Sequence, residues 1–251
     1  MEGVLFACAA LAFWLSPTLA PLALRCGLAA SLRFSPRAAV ALSAVSALFG
    51  HLGALAARGG LRSVPPGQRL PAALSGIVGG TLGRMALLLF AARFTGSLPL
   101  TRVQAIPLLL LTLLTLLPER MRRLPPPRTP RRFTLWGISA ALLSGGLGGG
   151  ALALFSLAAQ TGVRRTSPSS GPLLLSLCAQ ASALLLTLFS GGAQIFPIRM
   201  LAALALGAWF GGWQSQKRGK GHQRLLTALK VYAILAALSG TEQAFARFTA
   251  G

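Results

Sequence analysis

The sequence predicts an all-α integral membrane protein built from two inverted repeats, each a broken or re-entrant helix plus three transmembrane helices. Three observations carry this. Hydrophobic residues make up 54% of the chain and charged residues 11%, whereas a soluble domain carries about 25% charged residues. Windows 3–24, 38–57, 103–118, 133–163, 166–198 and 200–216 contain no Asp, Glu, Lys or Arg. A helix rises about 1.5 Å per residue and a hydrocarbon core is about 30 Å thick, so roughly 20 apolar residues span it. Finally, short patterns of the first half return in the second in the same order.

Taken along the chain, eight hydrophobic units lie near 3–24, 36–57, 70–92, 103–118, 134–159, 169–191, 197–214 and 225–240. The start, Met1-Glu2-Gly3, lacks the basic stretch of a signal peptide, so unit one reads as a membrane segment. It is interrupted by Ser16-Pro17-Thr18 and Pro21. Unit three contains Gly79-Gly80 and Arg84, whose position allows snorkelling to the interface. Residues 119–133 are rich in proline and arginine and read as a linker between a first membrane repeat, 1–118, and a second, 134–240, with a tail at 241–251. Unit five is broken by Ser144-Gly145-Gly146-Leu147-Gly148-Gly149-Gly150. Each glycine costs a helix about 1 kcal/mol relative to alanine, and irregular backbone at membrane depth survives only where protein or a watery cavity satisfies it.

The internal match is ordered. Arg33-Phe34-Ser35-Pro36 returns as Arg165-Thr166-Ser167-Pro168, and Gly79-Gly80 as Gly211-Gly212, both at an offset of 132. Arg69-Leu70-Pro71-Ala72-Ala73-Leu74 returns as Arg199-Met200-Leu201-Ala202-Ala203-Leu204 at an offset of 130. The first offset also lays the break of unit five on that of unit one. Basic residues divide evenly between the two faces if all eight units cross. If units one and five enter and leave on one side, fifteen fall on the linker face and seven opposite, which is the asymmetry that orients membrane proteins. Two kinked but complete crossings are the alternative. In this count Arg25 belongs to a loop.

Charge restricts the chemistry. The net charge is +21, and the acids are Glu2, Glu119 and Glu242 alone. Basic residues between hydrophobic units meet lipid phosphates, so the expected partners are membrane lipids and not nucleic acid. A carboxylate cation site has almost no material, which favours a neutral or anionic substrate. With two histidines and three acids, no acid–base or metal constellation forms, and no enzyme, metal or cofactor is expected. Cys8, Cys26 and Cys178 are odd in number and suggest small apolar packing residues. No GxxxxGK[ST] pattern is present, so ATP drive within the chain is not expected.

The stretch Gly137-Ile138-Ser139 through Ser144-Gly145-Gly146-Leu147-Gly148-Gly149-Gly150-Ala151-Leu152 resembles the glycine-rich motif of the sulfite exporter (TauE/SafE) family. His51 to Arg62 with Pro71 to Gly83, and Pro197 to Gln214, resemble that family's paired segments; the likeness covers roughly 30–240. Where the family repeats its triple glycine near the N-terminus, this chain has Phe13-Trp14-Leu15-Ser16-Pro17-Thr18, and Phe155 stands where a proline commonly follows the second motif. The resemblance implies a multi-pass inner-membrane secondary transporter of a small anion, a sulfur oxyanion or organosulfonate. A transporter of another small anion and a non-transporting membrane assembly protein are the alternatives.

Glycine backbone can approach a ligand closely, and N–H groups at a helix start bind anions. The expected substrate site is therefore Gly145, Gly146, Gly148, Gly149 and Gly150, with hydroxyls from Ser144, Ser16 and Thr18. Arg33 and Arg165, at equivalent positions beside the two proposed hairpins, are expected to attract or gate the anion. Gln160, Gln180 and Gln194 read as interhelical or interfacial contacts, with cavity donors as the alternative, and Gly79, Gly80, Gly211 and Gly212 as close helix packing. The bacterial inner membrane is the expected location, and a homodimer is left open.

Overall fold

The computed structural model describes residues 2–30, 34–93, 104, 107–110, 130–148, 170–190, 196–217 and 223–245. Every regular element among them is helical: α1 (Glu2–Leu15), α2 (Ala20–Ala30), α3 (Pro36–Ala56), α4 (Pro66–Arg93), α5 (Pro130–Leu147), α6 (Ser170–Phe189), α7 (Ile198–Gln214) and α8 (Gln223–Phe245), with 3-10 turns at Gly60–Ser63 and Ser215–Lys217. Three helices, α3, α4 and α6, are long and apolar enough to cross a membrane. The chain is thus a helical protein with membrane-spanning character. Unit four lies mostly outside the described residues, and so do 119–129 of the linker. The expected linker ends early, because α5 already begins at Pro130.

Local chemistry sets the boundaries. Ser35 caps α3, its Oγ accepting from the Ala38 N–H at 3.2 Å, and Pro36 opens the helix. Proline suits that position because its missing N–H would have no helical partner there. Beyond Ala56 the chain turns through Gly59 and Gly60, with φ of 93° and 66°, a left-handed path that favours glycine. α4 then runs for 28 residues, about 42 Å. That exceeds the hydrocarbon thickness of about 30 Å. In its first turn Arg69 donates from Nε to the Val64 carbonyl at 3.0 Å. The sequence places Arg69 in a loop; it belongs to this first turn.

Helix packing rests on backbone contact at glycines. A Cβ on Gly80 would strike the Ala179 carbonyl, and one on Gly212 the Gly50 carbonyl. Lipid tails are as apolar as the helices, so close backbone approach replaces the hydrophobic drive of a water-soluble core. These contacts also give helix direction. Gly207 faces Phe6 and Gly211 faces Ala10, so α1 and α7 run parallel. The Arg58 Nε–H donates to Gln216 Oε1 at 2.7 Å, joining the segments just beyond the ends of α3 and α7. The starts of these two helices share a core of Ala39, Leu42, Met200 and Leu204. Gly79 faces Ile138 and Gly83 faces Leu142, so α4 and α5 are parallel. Gly171 faces Gln68 and Gly80 faces Ala179, so α6 is parallel to both. α3 and α6 oppose each other, with His51 at Ser176 and Ser63 at Ser170.

Both expected breaks occur. α1 ends at Leu15 and α5 at Leu147, which is the offset of 132 read from the repeats. After α1 the chain turns over Ser16–Leu19, and α2 leads back to the start of α3, where the Phe34 N–H donates to the Leu28 carbonyl at 3.1 Å. Outward faces of α4 and α7 expose Leu74, Ile77, Leu89, Leu206 and Phe210, the surface a lipid-facing helix presents.

Candidate functional site

The break in unit five is built at the end of α5. Gly148 has φ 79°, and its N–H closes the last helical turn onto the Ser144 carbonyl at 2.8 Å. Its own carbonyl accepts from Ser43 Oγ of α3 at 2.9 Å. A Cβ there would meet the Val40 carbonyl at 2.5 Å, so both backbone sign and space call for glycine. One turn earlier Ser144 is fully buried, and its hydroxyl accepts from Gln180 Nε2 of α6, also fully buried. The Gly146 carbonyl accepts from Gln104 Nε2 at 3.0 Å. Gln104 Oε1 in turn accepts from Arg25 Nη2 of α2 at 2.7 Å.

Two guanidiniums therefore belong to this region. Arg25 and Arg84 are each only 3% exposed. Gly145 packs against α4 so closely that a Cβ on it would lie 3.1 Å from the Arg84 backbone nitrogen. The two cations are near enough for their like charges to repel. Among the described residues, Arg25 Nε, Arg84 Nε and Arg84 Nη2 have no hydrogen-bond partner, and neither has Gln180 Oε1. Glu2, the one acid whose side chain is described, is exposed on the first turn of α1. Taking an ion out of water costs several kcal/mol even after relaxation, so this buried cation pair, with no carboxylate beside it among the described residues, lowers the stability of the fold.

This corrects one expectation: Arg25, assigned to a loop, is a buried residue of α2. Arg84, whose position allows snorkelling, is buried within α4. Ser144, Gly145, Gly146 and Gly148 do come together here, although their N–H groups are spent within α5 and its last turn. Gly149, Gly150, Arg33 and Arg165 lie outside the described residues. The sequence did mark Arg84 by its depth within unit three. Gln104, in the charge-free window 103–118, and Arg25 carry no local signal that marks them.

Ser16 and Thr18 lie at the other break. The Ser16 carbonyl receives the Leu19 and Ala20 N–H groups at 3.1 and 2.9 Å, and its Oγ accepts from the Leu19 N–H at 3.3 Å, so Ser16 closes the turn that leads into α2. Thr18 is half-buried in the turn. The turn rests on His51 of α3, whose Nε2 pairs with the Pro17 carbonyl at 2.9 Å and whose Nδ1 pairs with Ser176 Oγ at 3.1 Å. Since a carbonyl only accepts, Nε2 carries the proton and the Ser176 hydroxyl donates to Nδ1. Phe13 meets the ring edge-on at 5.8 Å. His51 and Ser43 are eight residues apart on α3, about 12 Å along it, so the two breaks sit at different depths. His51→Ala should leave the Pro17 carbonyl and Ser176 hydroxyl unpartnered, at about 1–3 kcal/mol for each group. A clear fall in the thermal midpoint of purified protein checks this; an unchanged midpoint means that the turn does not depend on the histidine.

No protein-family model, no curated protein and no solved structure matches this chain.

Proposed function

We propose that this chain is a multi-pass secondary transporter of a small anion in a bacterial inner membrane. In this reading the anion is a sulfur oxyanion or organosulfonate, and it binds where the end of α5 meets α2 and α4. The observation that carries the reading is the pair of buried guanidiniums, Arg25 and Arg84, with N–H groups left unpartnered. A cation substrate at this place would face two positive charges, with no carboxylate among the described residues to offset them. An anion supplies the missing partner, and the low dielectric of the site strengthens its attraction.

Inverted halves fit the same reading. α1, α3 and α7 share one direction, and α4, α5 and α6 share the other. Each broken helix of one half packs on the third unit of the other, α1 on α7 and α5 on α4. Transporters commonly place the substrate between such repeats and move one against the other. Unit one becomes a re-entrant hairpin whose two ends lie on the same side as the start of α3.

Single cysteines at positions 3 and 37, in a background without Cys8, Cys26 and Cys178, should then label from one side of the membrane. A cysteine at position 62 should label from the other, cytoplasmic, side. Opposite labelling of 3 and 37 would mean that unit one crosses completely. The function itself is tested by flux in proteoliposomes. Sulfite or methanesulfonate should move at a rate proportional to inserted protein, while potassium and magnesium should not. Anion flux no greater than in protein-free vesicles would leave the membrane assembly reading in its place.

A further inference from the structure

The two unpartnered nitrogens of Arg84, Nε and Nη2, are not scattered around its guanidinium. They form one edge, the side-on fork whose two N–H bonds point the same way and match two oxygens of one anion. Arg25 is different. The same edge of its guanidinium is half used, with Nη2 donating to Gln104 at 2.7 Å and Nε left unpartnered. Gln104 is itself fixed, since its amide donates to the Gly146 carbonyl at 3.0 Å. Arg25 is thereby braced against the end of α5, while the Arg84 edge stays intact.

We propose that the Nε–Nη2 edge of Arg84, with the Nε–H of Arg25, is a binding site for a small oxyanion that presents two oxygens of one group to Arg84. Gln104 is the positioning residue that holds Arg25. The inference rests on the reading of this cation pair as the anion site and narrows it, because a spherical halide cannot use two parallel donors as two separate oxygens do. Sulfonate, sulfite and carboxylate groups all carry such a pair of oxygens. Burial of both guanidiniums restricts the ligand to a small group, and the absence of a nearby described carboxylate leaves the pair unneutralised until the ligand enters.

The test uses the full chain in maltoside micelles and phosphate-free buffer, with methanesulfonate and chloride as probes at equal ionic strength. Binding is read by calorimetry and by the rise in thermal midpoint. Methanesulfonate should bind more tightly than chloride, and Arg84→Lys, which keeps the charge and loses the fork, should weaken it about tenfold or more, the worth of one charged hydrogen bond. Chloride binding should change much less in this variant. Gln104→Ala should weaken methanesulfonate less than Arg84→Lys does. Equal binding of the two probes by the wild type, no binding of either, or an Arg84→Lys protein that binds methanesulfonate like the wild type would each overturn the proposal. Competition by added phosphatidylglycerol would assign the fork to a lipid phosphate and overturn it as a site for a free anion. Because binding is measured without flux, the two readings fail separately. A wild type that binds with the predicted selectivity but moves nothing keeps the site and loses the transporter. Flux that survives Arg84→Lys with unchanged binding keeps the transporter and loses the fork.

Discussion

Arg84→Leu should abolish anion flux and at the same time make the protein more stable. The guanidinium is almost wholly buried, has two unpartnered nitrogens and lies near a second cation. Replacing buried charges by apolar residues of similar volume is often stabilising by about 1–4 kcal/mol. Here both the desolvation cost and the repulsion from Arg25 are relieved. The anion, however, loses two charge-assisted hydrogen bonds worth about 1.5–3 kcal/mol each, a loss in binding of roughly a hundredfold or more. Thermal midpoint and flux per inserted molecule, measured on one preparation, separate the effects. A residue that serves packing alone would lose stability on truncation. A lower midpoint with flux retained would therefore place Arg84 in the scaffold. The opposed signs are what a site held at the expense of stability predicts.

The other large effect is on folding. Gly80→Val and Gly212→Val should each remove most of the correctly folded protein. At Gly80 the added carbon meets the Ala179 carbonyl and lies 2.7 Å from Ala179 Cα; at Gly212 it meets the Gly50 carbonyl and lies 2.9 Å from the Gly50 carbonyl carbon. These neighbours are backbone, so no side chain can swing aside, and two helices must separate. Overpacking costs about 1–3 kcal/mol in a water-soluble core. Valine brings two further methyl groups into the same contact, so a cost at or above that range is expected. Gly3→Val, where nothing lies within 4 Å, is the control. The readout is the fraction of detergent-extracted protein that elutes as a single species. If Gly80→Val and Gly212→Val elute like Gly3→Val, the backbone contacts between α4 and α6 and between α3 and α7 are not what holds the helices together.

Much of the architecture could be read from the chain because it depends on properties that act locally. Charge-free runs long enough to span a bilayer set the helices, and the bounds of α3, α6 and α7 fall within two residues of the hydrophobic units. Proline and glycine act on their own stretch of backbone, which is why the breaks after Leu15 and Leu147 could be located from Ser16-Pro17-Thr18 and from the glycine cluster. The paired glycines at 79–80 and 211–212 were legible as packing positions because small residues in a membrane helix have few other uses.

What surrounds the break was decided by tertiary structure alone. Arg25 meets Gln104 across 79 positions, Gln104 meets Gly146 across 42, and Gln180 meets Ser144 across 36. In sequence Arg25 simply ends the first charge-free window, as an interfacial arginine would. Only the fold of α2 back along α3 carries it into the interior, where no described carboxylate accompanies its charge. Ser16 and Thr18 show the converse. A hydroxyl beside a helix break can cap the next helix or meet a ligand, and composition is the same for both. The position of His51 under the turn, and the N–H groups that Ser16 receives, show what Ser16 does for the turn, which composition alone does not. A sequence records which polar groups are present; burial and the neighbour that does or does not satisfy each one arise only when distant helices are packed together.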